Sequence, residues 1–201
     1  MGKSSWKETW VVSDTHFSHA RSLEFFNPET GEKMRHWEAG KVEEMNEHMV
    51  ERWNSVIKPT DKVIHCGDAW FTKDGWKNVA RLNGVKELVM GNHDDKDMAL
   101  YTQFFKRLHG SYTVRTANRN HDLILTHIPI HTSQFGRFFG NVHGHIHRDL
   151  VKLPDGTPDP RYLNVCVEMI DYTPITLGEC LERIKKRRDD MNWDEPSLGR
   201  G

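Results

Sequence analysis

The chain has 201 residues, and its 28 Lys and Arg against 29 Asp and Glu leave a formal net charge of -1. That length makes one domain the default and allows a sizeable core, while the even charge argues against a dedicated nucleic-acid coat or a membrane-surface protein. Cys66, Cys166 and Cys180 are too few and scattered for a disulfide framework, the first residues lack an apolar signal core, and no apolar run nears the ~20 residues of a bilayer span, so a soluble, cytoplasmic protein is expected.

Taken in order, the chain alternates strand-like and helix-like segments. Residues 9–13 are β-prone and end at Asp14. Residues 20–58 then separate the first two motifs by more than a minimal βα connection and form a helical insert. Within it, Phe25-Phe26-Asn27-Pro28 precedes Glu29-Thr30-Gly31-Glu32, a turn by its Pro/Gly punctuation, with Arg21 and Arg35 on either side. Residues 41–56 predict a helix, because Val42, Met45, Met49, Trp53 and Val56 recur at three- and four-residue spacing. Strands follow at 61–66, 85–90, 122–126 and 138–143. They end at Gly67-Asp68, at Gly91-Asn92-His93-Asp94, at His127, and at Gly144-His145-Ile146-His147. A further, structural strand is expected at 162–167, with helices at 75–82, 96–108 and 176–188. Residues 1–188 read as one domain, and 189–201 as a mobile tail.

The polar motifs share one property: each lies just past the C-terminal end of a strand, the edge where open α/β sheets bind ligands. Asp14-Thr15-His16, Gly67-Asp68, Gly91-Asn92-His93-Asp94, Thr126-His127 and Gly144-His145-Ile146-His147 together offer carboxylates, imidazoles and an amide oxygen. That donor set suits borderline divalent metals such as Mn, Fe, Co, Ni and Zn. Gly144 argues against a plain polar strand through His143, His145 and His147, since glycine weakens a strand and permits close backbone approach.

The five motifs in this order resemble the calcineurin-like metallophosphoesterase superfamily, whose pattern is D-x-H, G-D, G-N-H-[DE], H, G-H-x-H. The compact form is similar to small bacterial and phage phosphoesterases. The resemblance implies a four-layer α-β-β-α sandwich with a dinuclear metal site at the strand ends. It implies that Asp14, His16 and His147 hold one ion, that Asp68 bridges, and that Asn92, His127 and His145 complete the second. It also implies in-line attack on phosphorus by a hydroxide bridging the ions, with His93 protonating the leaving alkoxide. Mn is the first choice of metal, with Fe, Zn, Ni and Co as alternatives.

Phosphodiester hydrolysis, cyclic or linear and nucleotide-like, is the leading activity; the alternatives are a phosphomonoesterase, a nuclease and, last, a non-catalytic scaffold. A small phosphate ester or nucleotide is the expected substrate, nucleic acid is a further candidate, nothing points to a membrane, and the oligomeric state is open. Asp94 is expected to orient the His93 imidazole. Arg21, Asn27, Arg35, His131 and Arg137 are the candidate substrate contacts, Arg by bidentate pairing to phosphate. The sequence Ala69-Trp70-Phe71 stands where many members carry a further acidic or glycine motif, and these aromatics are expected to pack. The basic run Arg183, Lys185, Lys186, Arg187 and Arg188 reads as a solvated helix end, where cations suit the macrodipole.

Overall fold

The computed structural model describes residues 6–94, 97–117 and 119–193. Strands β1 (Trp10–Val12), β2 (Lys62–His65), β3 (Val85–Val89) and β4 (Leu108–His109) run parallel in one sheet. The ninth strand, β9 (Ile175–Thr176), closes its other edge antiparallel to β1. The second sheet orders β5 (Tyr112–Val114), β6 (Leu123–Leu125), β7 (Gly140–His143) and β8 (Tyr162–Asn164), parallel except for the β5–β6 pair. With helices α1 (Val42–Val56), α2 (Trp76–Val79), α3 (Met98–Phe104) and α4 (Leu177–Asp190), this is the two-sheet α/β sandwich expected.

The central strands place apolar residues side by side where both of their faces are covered, Val11-Val12 in β1, Val63-Ile64 in β2 and Leu88-Val89 in β3. Val11, Val12, Val63, Ile64, Leu88 and Val89 are all fully buried and belong to one core with Leu123, Leu125, Val142 and Leu163 of the second sheet. The sheets meet at one place that matters for function. Ser13, directly after β1, pairs with Cys166 after β8, through Ser13 N–Val165 O at 2.9 Å and Val167 N–Ser13 O at 3.1 Å. Asp14 therefore leaves β1 at the seam between the two sheets.

Helix α1 buries Met45, Met49 and Trp53 from the face predicted by spacing, together with Val50, while Val42 and Val56 are partly buried against the core. Helix α4 starts at Thr176, whose hydroxyl accepts from the Glu179 amide, and it packs Leu177, Cys180, Leu181 and Ile184 inward. Its basic run is largely neutralised in place, Arg183 by Glu179, Lys185 by Glu182 and Lys186 by Asp190.

Several boundaries differ from expectation. The strand expected over 162–167 is Tyr162–Asn164 only, and Val167 already opens a short 3-10 helix, Val167–Met169. The helix expected over 96–108 is only Met98–Phe104, capped by the Asp97 carboxylate, because Leu108 and His109 are taken up as β4 beside Leu88 and Val89. Lys96 lies outside the described residues. The 75–82 segment is helical only at Trp76–Val79. The expected tail starts inside a helix: Asp189 and Asp190 are the last turn of α4, and the Arg161 guanidinium sits 5.0 Å from the Trp193 ring. The rest of that tail, 194–201, lies outside the described residues. Among the described residues, no helix is long and apolar enough to cross a membrane.

Candidate metal centre

The five motifs converge on one rim, and their backbone is strained there. Asp14, His16, Asp68, His145 and His147 all adopt positive φ, between 43° and 71°. For residues with a Cβ this costs about 1–2 kcal/mol each. Such outliers concentrate where a ligand clamp needs a fixed side-chain direction.

The carboxylates are held so that each keeps one oxygen for the centre. Asp14 Oδ2 accepts from Ser13 Oγ (2.6 Å), the His145 amide (2.9 Å) and Cys166 Sγ (3.2 Å), while its buried Oδ1 has no hydrogen-bond partner. Asp68 Oδ1 accepts from the His93 amide at 2.9 Å. Asp68 Oδ2 stands 3.5 Å from His16 Nε2 and 3.4 Å from His127 Nε2. The ligand atoms of Asp14, His16 and His147 lie within 4.8 Å of one another, and so do those of Asp14, Asp68 and His127. Motif glycines make this crowding feasible. A Cβ on Gly91 would overlap the Asp68 carboxylate, and one on Gly144 would overlap Ser13 Oγ and Asp14 Oδ2.

The imidazoles are oriented from behind. His127 Nδ1 meets the Cys66 carbonyl at 2.9 Å, to which it can only donate, so Nε2 is left facing Asn92 Oδ1 at 2.9 Å and Asp68. His147 Nδ1 rests on Glu168 Oε1 at 3.2 Å, the carboxylate–histidine arrangement that commonly fixes a metal-binding ring. The His145 ring lies 5.0 Å from that of His127, and the His93 ring 5.7 Å from that of His16.

Charge in this cluster is strongly coupled. Burial pushes the Asp14 carboxyl up, but His16, whose Nε2 stands 3.5 Å from Oδ1, together with the charges of His147 and His127, outweighs it and holds the group far below the usual carboxylate range. Burial likewise works to lower His127, yet the hydrogen bond to Asp68 and the charges of Asp14 and Asp68 lift it to about 9. Carboxylates held ionised in a buried setting, and drawing His127 and His147 toward their charged form, define a place that favours added positive charge. Divalent cations fit it: the donor set is of the right chemistry, and the unpartnered Asp14 Oδ1 is aimed into it.

Asp94 does not do what its position beside His93 suggests. Its Oδ2 accepts from the Asp68 and Gly91 amides, and its Oδ1 from the Ala69 amide and the Tyr101 hydroxyl. Both oxygens are thus spent on bracing the Gly67-Asp68 and Gly91–Asp94 loops, and the imidazole of His93 is not among their partners.

The outer candidates are dispersed. Arg35, expected at the pocket wall, is 1 % exposed and faces inward. Its Nε donates to Glu168 Oε1 at 2.7 Å, and its terminal nitrogens donate to the carbonyls of Asp14 and Thr15. An arginine spent on a buried carboxylate and the backbone beneath the site has nothing left for a phosphate. Asn27 is buried too, organising its own turn and donating to Asp149 at 2.9 Å. His131 is exposed and caps the short 3-10 helix Thr132–Gly136 through its ring. Arg21 and Arg137 are exposed, and among the described residues no contact ties either to the motif side chains. The expected packing of the aromatics after Asp68 divides: Trp70 is buried and stacks on Tyr101 at 4.0 Å, whereas Phe71 sits on the rim, stacked on His19 at 3.7 Å.

Glu168, Ser13 and Cys166 brace the ligands, and no motif announces them. Glu168 lies past the last motif and meets Arg35 across 133 positions, a pairing without a local sequence signal. Ser13 alone had a hint, since it directly precedes Asp14 at a strand end. His65 and His143 are buried, and burial lowers each to about 4. His65 Nε2 meets Thr15 Oγ1 at 3.0 Å while its Nδ1 has no partner, so this buried histidine is half-satisfied.

A sequence profile of the calcineurin-like phosphoesterase family matches residues 8–175. The chain belongs to this family. It is therefore a metallophosphoesterase, of a family that hydrolyses phosphate esters with divalent metals. An uncharacterized protein of Methanocaldococcus jannaschii is 29% identical over 189 residues, covering 90% of this chain and 94% of its own. The gene 66 protein of Mycobacterium phage L5 is 27% identical over 175 residues, covering 71% and 79%. The crystal structure of a protein of unknown function from Aquifex aeolicus superposes with a TM-score of 0.62 at 24% identity, over 87% of this chain and 97% of that one, and supports the fold.

Proposed function

We propose that the chain hydrolyses a phosphodiester at this centre, with His93 as the proton donor to the leaving oxygen. Asp14, His16 and His147 would hold one divalent ion and Asn92, His127 and His145 the other, with Asp68 between them. When bound, such a pair acidifies water and draws charge from the phosphoryl oxygens. The observation that carries the reading is the place of Asp68: its Oδ1 is fixed by the His93 amide, and its Oδ2 lies within 3.5 Å of both His16 Nε2 and His127 Nε2. That anchoring also sets His93, partly exposed, next to the same carboxylate. Histidine suits the proton transfer because its ordinary pKa of ~6.5 lies near working pH. Mn is our first choice of metal, and Fe, Zn, Ni and Co match the same donors.

The fate of the arginines favours a diester. A monoester dianion calls for more fixed positive charge than a diester monoanion, and Arg35 is committed to Glu168. Long nucleic acid is less favoured, since the basic end of α4 is paired internally and Arg187 and Arg188 donate to the Tyr162 and Phe139 carbonyls. After stripping with chelator and reloading with Mn, the protein should turn over bis-p-nitrophenyl phosphate well ahead of p-nitrophenyl phosphate. Preference for the monoester would make it a phosphomonoesterase. Metal-independent rates, or none, would overturn the reading.

A further inference from the structure

We infer that a wall of aromatic rings beside the metal centre receives the base of a nucleotide diester; this rests on the phosphodiesterase reading above and names its substrate class. The wall begins at His93. Phe71 lies 5.5 Å from His93 and 6.4 Å from His16, ring centre to ring centre. His19 stacks on Phe71 at 3.7 Å with 16° between the planes. Phe25 meets His19 edge-on at 5.7 Å. A row of rings therefore leads outward from the proton donor to Phe25, 44% exposed; Phe26, 57% exposed, follows it on the same turn.

The rings are presented by backbone that is fixed in place. Met34 N donates to Phe25 O at 2.9 Å and Asn27 N to Glu32 O at 2.7 Å, making residues 25–34 a closed turn. Asn27 Oδ1 accepts from the amides of Glu29 and Thr30 inside that turn. From outside, Asn27 Nδ2 donates to Asp149 and Arg148 Nε to the Met34 carbonyl, tying the turn to the chain just past His147. On the other flank, Phe71 N donates to Phe17 O and Phe17 N to Ala69 O, so the loops bearing His19 and Phe71 move together. Two large exposed phenyl rings on a braced turn signal a contact surface.

Continuity with His93 decides what that surface contacts. An occupant that places its phosphorus beside His93 and also reaches the wall must carry a flat ring a few bonds from the phosphate, as a nucleoside ester does. Aromatic side chains stack on any base, because every base has a π-face. The wall thus selects nucleosides over simple alkyl esters without reading base identity.

Two p-nitrophenyl diesters with the same leaving group test this on the Mn-loaded full chain: the p-nitrophenyl ester of thymidine 5′-phosphate, and methyl p-nitrophenyl phosphate. Stacking of ordinary strength should favour the nucleoside ester about tenfold or more in kcat/KM. Phe25→Ala should collapse that ratio, and Phe25→Trp should restore it. Hydrolysis of both esters with no nucleoside preference, or with a preference that Phe25→Ala leaves intact, overturns the inference while the phosphodiesterase reading stands. That is also the outcome if the patch serves a protein partner. Hydrolysis of neither ester overturns the phosphodiesterase reading, and the inference with it.

Discussion

His93→Ala should lower kcat on a diester with an alkoxide leaving group by about 10²–10⁴, the usual contribution of a positioned general acid, without loss of metal. The expectation follows from how the residue is attached. Its backbone amide, which alanine retains, donates to Asp68 Oδ1, whereas its ring is in none of the three sets of clustered ligand atoms, unlike those of His16, His127 and His147. The imidazole should therefore be separable from the centre. A p-nitrophenolate leaving group departs with little help from a proton, so its kcat should fall much less than that of the alkyl ester. Equal losses on both substrates would remove His93 from the proton-donor role, and loss of bound metal would make it a ligand.

Arg35→Ala should destabilise the protein by about 3–5 kcal/mol, because it strands the Glu168 carboxylate in the interior. Arg35 and Glu168 side chains are 1% and 0% exposed and joined at 2.7 Å. For a chain of this size the loss corresponds to roughly 6–20 °C in Tm. Replacing both partners with apolar residues should recover much of the stability, since matched removal of a buried pair is often close to neutral. Metal affinity should not recover. Glu168 also receives His147 Nδ1, and losing such a partner typically weakens metal binding by about 10–100-fold. Burial pushes Glu168 up, but the Arg35 charge, with the hydrogen bond and charge of His147, brings it down to about 2. A lowered carboxylate pKa stabilises the fold at pH above the ordinary ~4.5 and loses that contribution as pH falls toward 2. Thermal melts of the metal-free protein should thus show a decline between those limits that is blunted in the double variant. A double variant with unchanged metal affinity would contradict the role given to Glu168.

The metal-centre candidates could be read from the sequence because each follows a strand end within a few residues, so local pattern and spatial convergence coincide. Asp14 after β1 and Asp68 after β2 are examples: parallel pairing of Val12 with His65 brings those two chain ends side by side. The braces could not be read. Arg35 looked like a phosphate ligand because it lies in the loop that follows Asp14 and His16 and could wall the pocket, and only the folded chain reveals Glu168 beneath it. Asp94 was misread for a similar reason: adjacency to His93 in sequence implied contact, while the turn sends its carboxylate back to the Asp68 and Gly91 amides. The 96–108 helix overran because apolar spacing cannot register the β3–β4 pairing that claims Leu108. Phe71 reached the rim while its neighbour Trp70 packed, as successive residues of an extended segment point to opposite sides.

The most direct test of the dinuclear reading is to titrate chelator-stripped protein with Mn while recording bound metal and the electron paramagnetic resonance spectrum. The account predicts saturation at two ions per chain, with the signature of exchange coupling through a shared ligand, and loss of that coupling in Asp68→Asn. Saturation at one ion, or two ions without coupling in the unaltered protein, would contradict it.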